Sequence, residues 1–234
     1  MTDSEIDDLL RRIGSRSPAV APAVLERIAN PLEGNLSPVK PLAPARVLAG
    51  QLLALCVAVA VTGSAWAGFD GIVLLAAWQR VILFATVASL AAIMTRECVA
   101  RWSPGGLPRL SPLKVIAGSC GVLALLFALL FHHYRAGHFV TAGLGCLEQG
   151  VLHAIPAAIL GVFILRRGFA TRPVMAALIG GALAGLTGVM FLELHCTNTE
   201  AAHQIVWHTV VLPVSASLCG FIAWIVMRVK RARH

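Results

Sequence analysis

Thiol and imidazole side chains gather in the second half of the chain, where their types and spacing could do chemistry together. They are Cys146, His153, His195, Cys196, His203 and His208, with the acids Glu148 and Glu193 nearby. On a helix, Cys146, Gln149 and His153 follow an i, i+3, i+7 pattern and share one face. Thiolate and imidazole together are ligands for zinc and for softer metals such as cadmium. The pattern therefore supports a metal-binding cluster.

A second chemistry fits the same two cysteines. Cys146 and Cys196 could instead form a reversible disulfide in an oxidising compartment, and the residues alone leave both chemistries open. His203 and His208 are five residues apart, so on an α-helix they point in different directions. We therefore expect that not every histidine is a ligand of one site. The remaining cysteines lack CxxC spacing and are predicted to be small apolar packing residues: Cys56, Cys98, Cys120 and Cys219.

The elements that carry these residues are predicted to be membrane spans. Hydrophobic residues make up 58% of the chain and the mean hydropathy is +0.80, whereas soluble domains are roughly 45–50% apolar. Six stretches have the roughly 20 apolar residues that a span needs: 46–67, 72–95, 113–132, 142–165, 173–194 and 205–227. Gln79 and Arg80 interrupt the second, where we expect one continuous span rather than a surface segment at 72–78. The predicted fold class is all-α, a polytopic bundle of six transmembrane helices with a short cytoplasmic N-terminal amphipathic tail.

Basic residues fall in alternate connections between these stretches. They include Lys40, Arg46, Arg96, Arg101, Arg109, Lys114, Arg166, Arg167, Arg172, Arg228, Lys230 and Arg231. The positive-inside rule places them in the cytoplasm of a bacterial inner membrane, together with both chain termini. Cys146, Cys196 and the four candidate histidines then lie on the opposite, periplasmic side. The net charge of +8 reflects this topology, so no direct nucleic-acid partner is expected.

The N-terminal tail, residues 1–44, is predicted to begin with an amphipathic helix over 3–13. Its apolar stripe is Ile6, Leu9, Leu10 and Ile13, which recur at helical spacing. Because so short a segment cannot build a core of its own, we expect the stripe to bind a protein partner, with the lipid surface as the alternative. A proline-rich connector at 37–44 leads into a transmembrane domain at 45–228, and a basic C-terminus follows at 229–234.

Several short motifs resemble those of the NrsF-type membrane anti-sigma factors. They are Leu36-Ser37-Pro38-Val39-Lys40-Pro41-Leu42-Ala43-Pro44, Gly145-Cys146 with His153-Ala154, Arg166-Arg167-Gly168, Glu193-Leu194-His195-Cys196 and Trp207-His208. The resemblance implies a six-span protein that holds an extracytoplasmic-function sigma factor inactive through its cytoplasmic tail. It also implies that a periplasmic cysteine pair, here Cys146 and Cys196, is linked to sensing of heavy metals or oxidative stress.

The resemblance implies a membrane anti-sigma factor. An enzyme is not expected, because no set of nucleophile, base and orienting residue suggests catalysis. The predicted cofactor is a zinc or softer heavy-metal ion, with His153, His195, His203 and His208 as candidate ligands beside the cysteines. One alternative is a metal-binding transporter or efflux component, and another is a membrane thiol-redox protein. The sigma factor, the signal and the oligomeric state stay open.

Overall fold

The computed structural model describes residues 3–15, 22–27, 42–132, 134 and 139–232. The chain divides into two units, Met1–Pro41 and Leu42–His234. In the first unit, helix α1 spans Asp3–Ser15, which confirms the predicted helix, and a short helix α2 covers 22–27. Ile6 and Leu9 of α1 are exposed. The side chains of Leu10 and Ile13, and the predicted connector before Leu42, lie outside the described residues.

The second unit contains six helical segments that are long and apolar enough to cross a membrane. They are α3 (Ala45–Ala67), α5 (Ala77–Trp102), α6 (Pro112–Leu130), α7 (Phe139–Leu165), α8 (Pro173–His195) and a last segment, Ala201–Ala232. The last segment consists of α9 (Ala201–His203), a π-helical turn (Gln204–His208) and α10 (Thr209–Ala232). Every regular element in the described part of the chain is a helix, so the predicted all-α class is confirmed.

The predicted second span, 72–95 as one continuous helix, is wrong at its start. A short helix α4 covers Asp70–Val73, a turn follows, and α5 begins only at Ala77. Gln79 and Arg80 make this break, because their side chains bond to the backbone. The Gln79 side chain accepts from the N–H of Ala76 at 2.8 Å, and Arg80 donates to the carbonyl of Leu75 at 2.9 Å. The two residues thus lie in the first turn of the span.

The six segments run alternately up and down. Residues that follow α3 meet the end of α8, since His195 Nδ1 donates to the carbonyl of Gly68 at 3.2 Å. At the opposite end, the N–H of Phe169, just beyond α7, donates to the carbonyl of Trp102 at 3.0 Å. The end of the bundle near Gly68 and His195 is called the cluster end, because it holds Cys146 and Cys196. The opposite end is called the arginine-rich end, because it holds Arg101, Arg109 and Arg172.

Helix α8 is the centre of the bundle. In its most apolar stretch 67% of the residues are buried, against 17–39% for the other five segments. It packs on α10 most extensively, and also on α7, α5 and α3. Glycines allow this close approach: a methyl group added at Gly185 would lie 2.8 Å from the Cα of Leu212, and one at Gly188 would overlap the carbonyl of Gly150. A single central helix therefore links the two ends.

A buried ion pair closes the arginine-rich end. Glu97 is 3% exposed, and Arg101 donates to its carboxylate at 2.6 Å. The same carboxylate accepts from the backbone N–H groups of Arg109 and Leu110, at 3.2 and 3.4 Å, while Arg101 also donates to the carbonyl of Leu110. These bonds hold the loop between α5 and α6 against the end of α5.

Candidate metal centre

The two cysteines come from neighbouring helix ends. Cys146 lies in the first turns of α7, and Cys196 directly follows the last residue of α8. Because α7 begins where α8 ends, the antiparallel packing brings the two side chains together. Their Sγ atoms are 3.5 Å apart, and both residues are half-buried. This spacing is that of two free thiols in contact.

The π-helical turn Gln204–His208 brings two histidines to the cysteines. A π-helix bonds residue i to residue i+5, so His203 and His208 lie about one turn apart on the same face. The expectation that they point in different directions assumed α-helical geometry and is corrected here. Pro213, one turn further on, favours such an irregularity because it offers no N–H to the carbonyl of Thr209.

Cys146, Cys196, His203 and His208 form one cluster. One ligand atom from each residue lies within 4.8 Å of all the others, and Cys196 Sγ is 3.8 Å from His203 Nε2. A tetrahedral zinc ion would separate a sulfur and a nitrogen ligand by about 3.6 Å and two sulfurs by about 3.8 Å. Both histidines are fully buried. The four residues could therefore hold a metal ion after small side-chain movements.

Glu193 completes the surroundings of His208. Its Oε1 accepts from His208 Nδ1 at 2.6 Å, and the two side chains are 1% and 0% exposed. Glu193 is in the last turn of α8, one turn before Cys196. The carboxylate therefore fixes both the orientation of the imidazole and the nitrogen that carries its proton.

Unpaired nitrogen atoms show that the donor set suits a metal ion. His208 Nε2 and His203 Nδ1 are buried and have no hydrogen-bond partner within the described residues. In the neutral imidazole, with Nδ1 of His208 donating to Glu193, Nε2 carries the lone pair. A buried acceptor without a partner is unfavourable, and metal ligation would satisfy it. Two thiols and two imidazoles are also the donors of Cys₂His₂ zinc sites.

A surface cavity of about 340 Å³ gives access to the sulfur atoms. Cys146 and Cys196 form part of its wall, together with His195, Gln149 and Asp70. The Asp70 carboxylate supplies a negative charge that attracts cations. The hydrogen bond between the thiols of Cys196 and Cys146, together with burial, raises the pKa of Cys196 above its ordinary value.

The other two candidate ligands lie outside the cluster. The imidazole of His153 stacks on Phe191 with ring centroids 3.5 Å apart, and its Nδ1 donates to the carbonyl of Gln149 at 2.8 Å. The ring centroid of His195 is 5.4 Å from that of Phe191, and His195 bonds to the carbonyl of Gly68. These two histidines therefore form an aromatic stack that ties α7 to α8.

Two features of the site were not predicted. Glu193 was expected near the cluster, but its pairing with His208, which is 15 residues away, was not predicted. Asp70, which lies on the cavity wall, was not among the predicted site residues. An acid at the end of an otherwise apolar span was the available signal for Glu193, because a buried carboxylate needs a partner.

The fold and the cluster define a class of protein, an all-helical bundle of membrane-length segments with a thiol and imidazole site at one end. The chain belongs to the NrsF family, described as "Negative regulator of sigma F", which it matches over residues 32–229. The suspected family is thus confirmed. Membership implies that the protein negatively regulates a sigma factor. No curated protein and no solved structure is similar enough to the chain to count as a match.

Proposed function

We propose that the protein is a membrane anti-sigma factor that holds an extracytoplasmic-function sigma factor at the bacterial inner membrane. Both termini lie in the cytoplasm, and the cluster end faces the periplasm. The N-terminal tail binds the sigma factor, and Cys146 and Cys196 respond to heavy metal or to oxidative stress. Family membership carries the first part of this proposal, and the cluster of thiols and imidazoles carries the second.

The apolar stripe of α1 supports the role of the tail. Ile6 is 37% exposed and Leu9 is 46% exposed, although both side chains are apolar. Burial of such a side chain at an interface stabilises a complex by about 1.5–3 kcal/mol. An amphipathic helix of this kind fits an apolar groove on a partner protein. Asp7, Asp8 and Arg11 are exposed as well and keep the segment soluble when it is free.

Helix α8 supports a connection between the cluster and the cytoplasm. Its last turn holds Glu193, the residue after it is Cys196, and its body packs on α3, α5, α7 and α10. A change in the cluster would therefore act on the helix with the most neighbours. Packed helices shift as rigid elements, so a displacement at one end reaches the other.

The proposal is tested with the full-length protein in membranes and a reporter gene that depends on the sigma factor. Ile6→Asp/Leu9→Asp should release the sigma factor from the membrane fraction and raise reporter expression. Loss of two buried apolar contacts predicts binding at least about 100-fold weaker. Asp8→Asn, on the opposite face of α1, is the matched control and should leave repression intact.

Full repression by the Ile6→Asp/Leu9→Asp variant, at an unchanged amount of protein, would contradict the role of the stripe. The sensing role is tested by adding Cd²⁺ to the same reporter strain. The wild type should lose repression, whereas Cys146→Ser/Cys196→Ser should not respond. An unchanged response in the double variant would contradict the sensing role of the two cysteines. Metal flux into vesicles or thiol exchange by the wild type would instead support the alternatives, a carrier or a thiol-redox protein.

A further inference from the structure

We propose that Glu193 is a positioning residue that turns the Nε2 lone pair of His208 toward the two sulfurs, and that it thereby completes a closed Cys₂His₂ site for a tetrahedral divalent ion such as Zn²⁺. The proposal deepens the proposed function, since it names how the cluster would hold its metal. It concerns Cys146, Cys196, His203 and His208 as ligands and assigns Glu193 a role outside the ligand set.

The first step is the orientation of His208. A neutral imidazole has one N–H donor and one lone pair, and the hydrogen bond of one nitrogen decides the state of the other. Glu193 Oε1 accepts a hydrogen bond from Nδ1 at 2.6 Å, so in the neutral imidazole the lone pair is on Nε2. His208 belongs to a cluster in which one ligand atom of each residue lies within 4.8 Å of the others. Because Nδ1 is bonded to Glu193, Nε2 is the nitrogen that the ring can offer to an ion.

The second step is the burial of the pair. Glu193 and His208 are both almost completely buried, so water does not compete for the bond between them. Metal-bound histidines commonly donate their second ring N–H to a carboxylate, and loss of that partner weakens metal binding by about 10–100-fold. The Glu193–His208 pair has this arrangement.

The third step is the number of ligands. Two sulfurs and two nitrogens fill a tetrahedral shell, which is the closed arrangement of structural zinc sites rather than the open one of catalytic sites. Cys146 comes from α7, Cys196 follows α8, and the two histidines flank the π-helical turn. An ion bound there would tie three segments of the bundle together at the cluster end.

The experiment is a Co²⁺ titration of the full-length protein, purified in detergent under reducing conditions, followed by competition with Zn²⁺. Tetrahedral Co²⁺ gives intense visible absorption, and thiolate ligands add a near-ultraviolet charge-transfer band. We expect both features in the wild type. Glu193→Gln keeps an oxygen acceptor without the charge and should weaken binding about 10-fold, and Glu193→Leu about 100-fold. Both variants should keep the charge-transfer band, because both sulfurs remain.

Glu148→Gln is the matched control, because Glu148 is exposed on α7 near Cys146 and lies outside the cluster. It should bind Co²⁺ like the wild type. Equal affinities for wild type and both Glu193 variants would overturn the positioning role. So would loss of the charge-transfer band in Glu193→Gln, since it would mean that the whole site collapses. A wild type without tetrahedral Co²⁺ absorption would overturn the site itself, while the tail variants in the repression assay would still decide the proposed function.

Discussion

Zinc is expected to protect Cys146 and Cys196 from forming a disulfide with each other. Their sulfurs are 3.5 Å apart. Tetrahedral zinc would hold them about 3.8 Å apart, whereas a disulfide requires about 2.05 Å. Metal binding thus needs a separation larger by about 0.3 Å, and disulfide formation needs an approach of about 1.5 Å. Because the two movements are opposite and use the same sulfurs, the two states exclude each other.

The expected slowing of disulfide formation follows from the fraction of the protein that has zinc bound. With free Zn²⁺ at 100 times its dissociation constant, about 1% of the protein is without metal, so disulfide formation should be about 100-fold slower. The assay oxidises the full-length protein in detergent with diamide, with and without Zn²⁺. Remaining thiols are then labelled with a maleimide polymer and counted by their shift on a gel.

Two internal controls separate zinc protection of Cys146 and Cys196 from an effect of zinc on all thiols of the protein. Cys120 and Cys219 are half-buried and lie outside the cluster, so zinc should not change their rate of labelling. The double variant Cys146→Ser/Cys196→Ser should show no zinc-dependent oxidation. Equal oxidation of the wild type with and without saturating zinc would refute the reasoning. Tight zinc binding by the fully oxidised protein would refute it equally.

Two further predictions concern pH and stability. Zinc affinity should rise with pH, because thiols must lose their protons to ligate. Because the pKa of Cys196 is raised, the increase in zinc affinity continues through the neutral pH range. The affinity should increase by up to about 10-fold per pH unit for each proton released. Co²⁺/Zn²⁺ competition between about pH 6 and 8 would measure it. Glu97→Gln should destabilise the bundle by about 3–5 kcal/mol, because Arg101 would lose its buried carboxylate. Thermal unfolding in detergent tests this, with Glu148→Gln as an unaffected control.

The fold is predictable from the sequence wherever a single contribution to the free energy dominates. Burial of apolar residues in lipid outweighs other contributions over a span, so five of the six predicted stretches agree with the helices to within a few residues. The second failed at its start because local hydrogen bonds decided it. Gln79 and Arg80 satisfy the backbone of the preceding turn, and hydropathy contains no information on such bonds.

The residue types of the candidate site were predictable from the sequence, but which histidines join the two cysteines was not. The cysteines and two of the histidines come together as their chemistry suggested, but His153 and His195 stack on Phe191 instead. The approach of His203 to His208 depends on one irregular turn, whereas standard α-helical periodicity would point the two residues in different directions. The pairing of Glu193 with His208 depends on the packing of α8 against the last segment, which a single sequence does not reveal.

The π-helical turn also has a consequence for the length of the chain. It is equivalent to one residue inserted into an α-helix, so the residues before and after it follow different helical phases. If the same residues wound as a regular α-helix, His208 would lie about 140° around the axis from His203, and only the deletion of one residue would return an α-helical pair to one face. The number of residues in this turn is therefore as much a part of the site as the identity of its ligands.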